Sequence, residues 1–373
     1  MSPKKFVSYS LLSLLLLLAI AGCTFLNLSP QFGGKAKGQR LEKIQQSPHY
    51  ADGQFQNPVE TNMEIGFSGY VKMINSRLFG KSENLRPDQP QPVIPVDPRQ
   101  FDTRNDSLTI LTWFGHSAFL VEIDGKRLLL DPMLGEIASP VSFMGPRRFT
   151  ETLPISIEDL PAVDAVLISH DHYDHLDYSS IKKLADKTGH FYVTLGVGAH
   201  LERWGIPAEK ITEMDWWQQA DFKGLKFVST PSRHFSGRGI SDRMQTLWTS
   251  WVIQGQHERI FFSGDTGYFD GFKEIGEKYG PFDITLMECG QYNELWPNIH
   301  MMPEQTVQAH LDLNGKLLMP IHWGAFALAM HSWTDPIERV SKKARELRVP
   351  MTTPRIGEPI ILNRNIPQTA WWE

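Results

Sequence analysis

His170-Asp171-His172-Tyr173-Asp174-His175 follows directly on the apolar run Ala165-Val166-Leu167-Ile168 and a single Ser169. Four of these six residues, His170, His172, Asp174 and His175, are potential metal ligands. Imidazole and carboxylate suit zinc and related divalent ions, and a chain leaving a strand for a turn can aim alternate side chains at neighbouring points. Histidine also serves as core or surface filler, but filler is not packed this densely or interleaved with acids.

The same pattern recurs further along. Phe227-Val228-Ser229-Thr230-Pro231-Ser232-Arg233 runs into His234, Ile260-Phe261-Phe262-Ser263-Gly264 into Asp265, and Leu317-Leu318-Met319-Pro320-Ile321 into His322. Taken singly, His234 or His322 also reads as a hydrogen-bonded structural histidine, and Asp265 before Thr-Gly as a turn acid. Together with the first motif they supply seven ligands, enough for two metals that share a carboxylate.

The surrounding sequence sets the fold class. Short apolar runs at 108–113, 118–123, 127–130, 165–168, 225–230, 248–253, 259–262, 284–287 and 317–321 predict strands. Residues 178–187 predict a helix, with Ile181, Leu184 and Ala185 on one face, Lys182, Lys183 and Lys187 toward water and Asp177 as N-cap. Further helical patterns lie at 270–279, 303–312 and 335–347. Many strands with interspersed helices indicate an α/β protein of layered sheets covered by helices.

The H-x-H-x-D-H motif with a later His, Asp and His resembles the metallo-β-lactamase fold superfamily. Within it the chain is most similar to N-acylphosphatidylethanolamine-hydrolysing phospholipase D and its bacterial relatives. The narrower resemblance rests on Met144-Gly145-Pro146-Arg147-Arg148-Phe149, Asp215-Trp216-Trp217, Gly264-Asp265-Thr266-Gly267-Tyr268 and Ile321-His322-Trp323-Gly324-Ala325-Phe326. It covers roughly residues 100–360 and implies a four-layer αββα fold, two packed mixed sheets flanked by helices.

It also implies two zinc ions, one on His170, His172 and His234, the other on Asp174, His175 and His322, with Asp265 bridging. A hydroxide shared by the ions would then be available near neutral pH. Catalytic roles fall to Asp174, Asp265 and His300, and substrate contacts to Tyr173 and His300, which match family positions. His300 would bind phosphate or protonate the leaving group, although a histidine at a helix entry can have no chemistry. His116, in Phe114-Gly115-His116-Ser117, is expected to support the metal site rather than ligate. Arg147 and Arg148 read either as an anion contact or as a solvated pair, the tryptophan pairs as core or rim, and Cys289 as a small buried residue.

Composition narrows the partners. Lys and Arg number 37 against 42 Asp and Glu, a formal charge of −5 with no long basic run, so a nucleic-acid partner is not expected. Residues 1–22 pair Lys4 and Lys5 with an apolar stretch and end in Ala21-Gly22 just before Cys23, which resembles a bacterial lipoprotein signal. The resemblance implies a lipidated Cys23 and attachment to the cell envelope, at the periplasmic side of the outer membrane in a Gram-negative cell. Residues 23–100 are expected to form a polar tether and a proline-rich arm, with the hydrolase domain at 101–373. Oligomeric state stays open, a homodimer included.

The expected activity is a dizinc phosphodiesterase of phospholipase D type acting on N-acylphosphatidylethanolamine or a related phospholipid. Hydrolysis of lactones, β-lactams or other carbonyl esters is the enzymatic alternative, since the same metal pair can drive attack on carbonyl carbon. A non-catalytic zinc-binding envelope lipoprotein is the third reading.

Overall fold

The computed structural model describes residues 29–63, 84–141 and 143–373, with Val71 and scattered positions between 13 and 28. Most of the segment read as a signal peptide, Cys23 included, lies outside the described residues, as does most of 64–83. Among the described residues no helix is long and apolar enough to cross a membrane.

Two mixed sheets form the body. Strands β3 (Ile110–Trp113), β4 (Phe119–Ile123), β5 (Lys126–Leu130), β6 (Val163–Leu167), β7 (Thr188–Thr194), β8 (Ile211–Met214) and β15 (Pro359–Ile361) make a seven-stranded sheet of order β15-β3-β4-β5-β6-β7-β8. Strands β9 (Gln219–Phe222), β10 (Leu225–Thr230), β11 (Ser250–Gln254), β12 (Arg259–Phe262), β13 (Ile284–Glu288) and β14 (Leu318–Ile321) make a six-stranded sheet in which β9 to β14 lie in chain order.

Residue alternation explains why they stack. Phe119, Val121, Leu128, Leu130, Ala165 and Leu167 pack into the core shared with Phe227, Trp251 and Phe261 of the other sheet. Their neighbours Leu120, Leu129 and Val166 face the opposite way. Successive side chains in a strand point to opposite faces, so a strand apolar at every position is covered on both. The outer face of the seven-stranded sheet is covered by Ile181 and Leu184 of α2 (Tyr178–Leu184) and Leu201 of α3 (Gly198–Arg203). Asp177 caps α2 by accepting from the Ser180 amide at 2.8 Å. On the six-stranded sheet the cover comes from Phe272 and Ile275 of α4 (Gly271–Tyr279), Val307 of α5 (Pro303–Asp312), and Ile337 and Val340 of α6 (Asp335–Leu347). The result is the expected four-layer αββα arrangement.

The N-terminal segment differs from the expected tether. It holds α1 (Gln39–Gln45) and a hairpin of β1 (Tyr50–Ala51) and β2 (Gln54–Phe55), and Ile44 and Phe55 are buried with Trp216, Leu247 and Trp248. Polar ties add to this apolar anchor: Arg238 donates to the Gln31 carbonyl at 2.8 Å and Trp204 Nε1 to that of Pro30 at 2.7 Å. Scattered apolar residues without periodicity suffice here because the partner surface is already built. The proline-rich arm runs extended, with Gln91, Ile94 and Val96 amides donating to the Phe149, Ile356 and Pro154 carbonyls.

Phe55→Ala should lower unfolding free energy by about 3 kcal/mol, read as a fall in the denaturant midpoint. An unchanged midpoint would mean that the segment does not contribute to the folded domain.

Candidate metal centre

Strand direction brings the ligands together. β12, β13 and β14 are parallel, and β10 runs antiparallel to β11, which is antiparallel to β12. So β10 and β12 to β14 all end at one edge, delivering His234, Asp265, Glu288 and His322 there. β6 delivers the His170–His175 segment to the same edge, where the Thr249 amide donates to the Ser169 carbonyl at 3.0 Å and ties the two sheets. Gly264 has φ 56°, and a Cβ on it would lie 2.6 Å from the Ser169 side chain. Only glycine lets the chain pass that close before Asp265.

All seven expected ligands converge. His170, His172, His234 and Asp265 form one group whose donor atoms lie within 4.8 Å of one another, and Asp174, His175, His322 and His116 form a second. In the first, His172 Nδ1 stands 2.9 Å from His170 Nε2 and 3.2 Å from His234 Nε2. Three ligands about 2.0–2.1 Å from a tetrahedral ion would be about 3.3 Å apart. The carboxylate of Asp265 serves both groups. Its Oδ2 is 3.7 Å from His170 Nε2 and from His234 Nε2, while its Oδ1 is 3.1 Å from His175 Nε2 and 3.0 Å from His322 Nδ1.

Outer partners fix which ring nitrogen faces inward. His175 Nδ1 lies 2.7 Å from Asp131 Oδ2, and His234 Nδ1 lies 2.8 Å from the Ile299 carbonyl oxygen. Each Nδ1–H is thereby used as a donor, which leaves Nε2 as the bare nitrogen turned to the cluster. Asp131 also accepts from the Ser169 amide at 2.7 Å. His116 supports from the side, its Nε2 2.8 Å from Asp174 Oδ2 and its ring 4.0 Å from that of His322. His116, Asp131 and His322 all have positive φ, at 56°, 35° and 65°, a conformation side chains other than glycine rarely adopt and one that clusters here at the site.

The electrostatics fit a cation. Burial holds His170, His234 and His322 well below the usual imidazole range and His172 at about 4, so these rings are neutral. Burial pushes Asp265 up to about 7. Burial works against a charge on His175 as well, but Asp265 and Asp174 beside it raise it well above its ordinary value. Asp265 Oδ1 and His175 Nε2 are buried, close, and off the line of a hydrogen bond, each without a partner. A cation between such atoms satisfies both, and neutral imidazoles with carboxylates are the donors it requires.

Two further residues belong here that the sequence reading did not single out. Asp131 directly follows the strand β5, and Glu288 ends β13, the same signal that identified His234 and Asp265. Glu288 is fully buried, accepts from the Met301 amide at 2.7 Å and lies 3.1 Å from His300 Nδ1. His300 thus keeps Nε2 free, and its ring stacks on that of His322 at 5.3 Å.

Beside the cluster opens a cleft of about 320 Å³, where His172, Asp174, Asp265, His300 and His322 meet Met63, Phe235, Trp296, Ile299 and Leu328. Tyr173 is not among its lining residues. Its hydroxyl donates to the Arg238 carbonyl at 2.6 Å and its ring lies under the Arg238 guanidinium. Arg148 is neither an anion contact nor solvated: it is buried, donating to the carbonyls of Phe114 and Met133 with Phe326 beneath its guanidinium. Arg147 is exposed, 3.6 Å from Glu136. Trp216 and Trp248 are core, and Cys289 is buried against the Ile321 carbonyl.

Fold and site together define a metal-dependent hydrolase of the metallo-β-lactamase fold. Residues 126–323 match the family described as the beta-lactamase superfamily domain, and the chain belongs to it. An uncharacterised protein of Mycobacterium tuberculosis is 42% identical over 332 residues, 88% of each chain. N-acyl-phosphatidylethanolamine-hydrolyzing phospholipase D 1 of Caenorhabditis elegans is 35% identical over 239 residues, covering 61% of this chain and 67% of the relative. Among solved structures, Igni18, a metallo hydrolase from Ignicoccus hospitalis, superposes with a TM-score of 0.52 at 23% identity over 69% of this chain and all of that one. That last likeness concerns the fold alone.

Asp131→Ala should weaken metal affinity by about 10- to 100-fold without unfolding the chain, measured by competition with a chromogenic chelator. Unaltered affinity would show that the His175 ring needs no outer partner.

Proposed function

We propose that the chain is a dizinc phosphodiesterase of phospholipase D type, cutting N-acylphosphatidylethanolamine or a related phospholipid into phosphatidic acid and an N-acylethanolamine. One observation carries the reading: a carboxylate addressed by two separate imidazole sets opens onto a cleft whose remaining wall is largely apolar. The similarity to a phospholipase D of that specificity supports it.

His170, His172 and His234 would hold one ion, Asp174, His175 and His322 the other, with Asp265 shared. Two divalent ions so held would neutralise the diester, lower the pKa of water for attack at phosphorus and stabilise the charge that develops. The bond that forms is from water oxygen to phosphorus, and the bond that breaks joins phosphorus to the headgroup oxygen. The departing alkoxide needs a proton. Burial raises the Glu288 carboxyl well above its ordinary range, so it keeps its proton and donates to His300 Nδ1, which leaves Nε2–H at the cleft as the group placed to supply one. Asp174, anchored by His116, is placed to orient the attacking water. Met63, Trp296, Ile299 and Leu328 give the lipid's apolar part a surface to rest on.

The proposal extends to location: a lipid on Cys23 would hold the enzyme at the envelope membrane beside an insoluble substrate, raising its effective concentration.

Product analysis by mass spectrometry on N-acylphosphatidylethanolamine liposomes tests the activity. Phosphatidic acid should form with wild type, vanish on chelation and return with zinc. His172→Ala and Asp265→Asn should each lower turnover by at least about 100-fold. Full turnover in either variant, or opening of a lactone or β-lactam ring in place of diester cleavage, would contradict the reading.

A further inference from the structure

The cleft holds one cationic side chain that the mechanism above does not use. Arg243 lines it beside His172 and Phe235. Its guanidinium lies 4.9 Å from the Phe235 ring centroid, and the Phe235 ring in turn lies 4.5 Å from that of His172 and 4.9 Å from that of His234. A single aromatic ring therefore separates this positive charge from two expected metal ligands.

The charge is uncommitted. Among the described residues the Arg243 side chain has no carboxylate partner and donates no hydrogen bond, although Asp242 is its chain neighbour. Asp242 is turned back into its own loop, accepting from the Gly239 amide at 2.7 Å. The other polar heads in the cleft are spent. The Gln291 amide donates to the Phe326 carbonyl at 3.0 Å and accepts from the Leu328 and Ala329 amides, while Asp174 and Asp265 belong to the metal cluster.

Nor is the position of Arg243 left to chance. Its loop is joined to the metal motif by the Gly237 amide, which donates to Asp171 Oδ1 at 2.8 Å, and the Met244 amide donates to the Ser236 carbonyl at 3.0 Å. An aromatic backing keeps a guanidinium flat and fixes the direction of its donors.

We propose that Arg243 is the specificity residue for an anionic diester: its guanidinium, backed by Phe235, pairs with the nonbridging oxygen that faces the mouth of the cleft. The inference deepens the phosphodiesterase reading and rests on it for the identity of the substrate. A neutral lactone or carboxylic ester would present nothing to this group, so the pairing favours a charged substrate over carbonyl compounds the metals could also attack.

The test uses zinc-loaded full chain and the variants Arg243→Gln and Arg243→Lys. Calorimetric titration with inorganic phosphate should show about five-fold weaker binding to Arg243→Gln, with Arg243→Lys between it and wild type. With the soluble diester bis(p-nitrophenyl) phosphate, KM should rise by a similar factor while kcat stays within about two-fold. Equal phosphate affinity and equal KM in Arg243→Gln and wild type would overturn the role of Arg243, even if diester cleavage stands. Weaker phosphate binding with no diester cleavage by any preparation would instead leave the anion site in place and remove the phosphodiesterase reading beneath it.

Discussion

Asp265 sits buried between two sets of imidazoles at the foot of the cleft, and its negative charge is tolerable there only if positive charge is supplied on both sides. Burial, which outweighs the opposing pull of His175, pushes its carboxyl up to about 7, whereas a cation against each oxygen would hold it ionised. The remaining geometry follows from that requirement. Imidazoles kept neutral by burial can donate lone pairs to the ions, and Asp131 and the Ile299 carbonyl turn the correct nitrogen inward. Both sheets must end at a single edge for the donors to meet, which the strand directions accomplish.

The enclosure of that charge is built by parts distant in the chain. Asn57 bonds to both the amide and the carbonyl of His234, and the Arg233 side chain donates to Thr61 and to the Glu60 carbonyl. The N-terminal segment therefore braces a ligand-bearing turn and brings Met63 to the cleft. A segment that looks like a connector in sequence completes the wall on which an apolar substrate portion would rest. Its anchoring by Phe55 and Ile44 is what links the stability of the whole fold to the shape of the site.

Much of this was legible in sequence. The helices expected at 270–279, 303–312 and 335–347 agree with α4, α5 and α6 to within a residue, because caps, prolines and helical periodicity are local signals. The candidate ligands were legible because each follows shortly on an apolar strand, or, for His170 to His175, because their spacing is too dense for filler. Asp131 and Glu288 carry the same strand-end signal, but a lone acid has many other uses, and only the fold shows each touching a histidine. Arg148 was misleading for a related reason. A pair of arginines in a loop reads as surface, yet the carbonyls of Phe114, Met133 and Gly135, in the loops that follow β3 and β5, turn inward and need a donor. The docking of residues 30–61 depends on a surface formed by Trp216, Leu247 and Trp248, far away in sequence, so no local pattern announces it.

The central claim is that Asp265 is shared by two cations. Anomalous diffraction from crystals of the metal-loaded chain measures this directly. The account predicts two peaks about 3.5–4 Å apart, one against each carboxylate oxygen of Asp265. A single peak, or a pair that leaves Asp265 untouched, would contradict it.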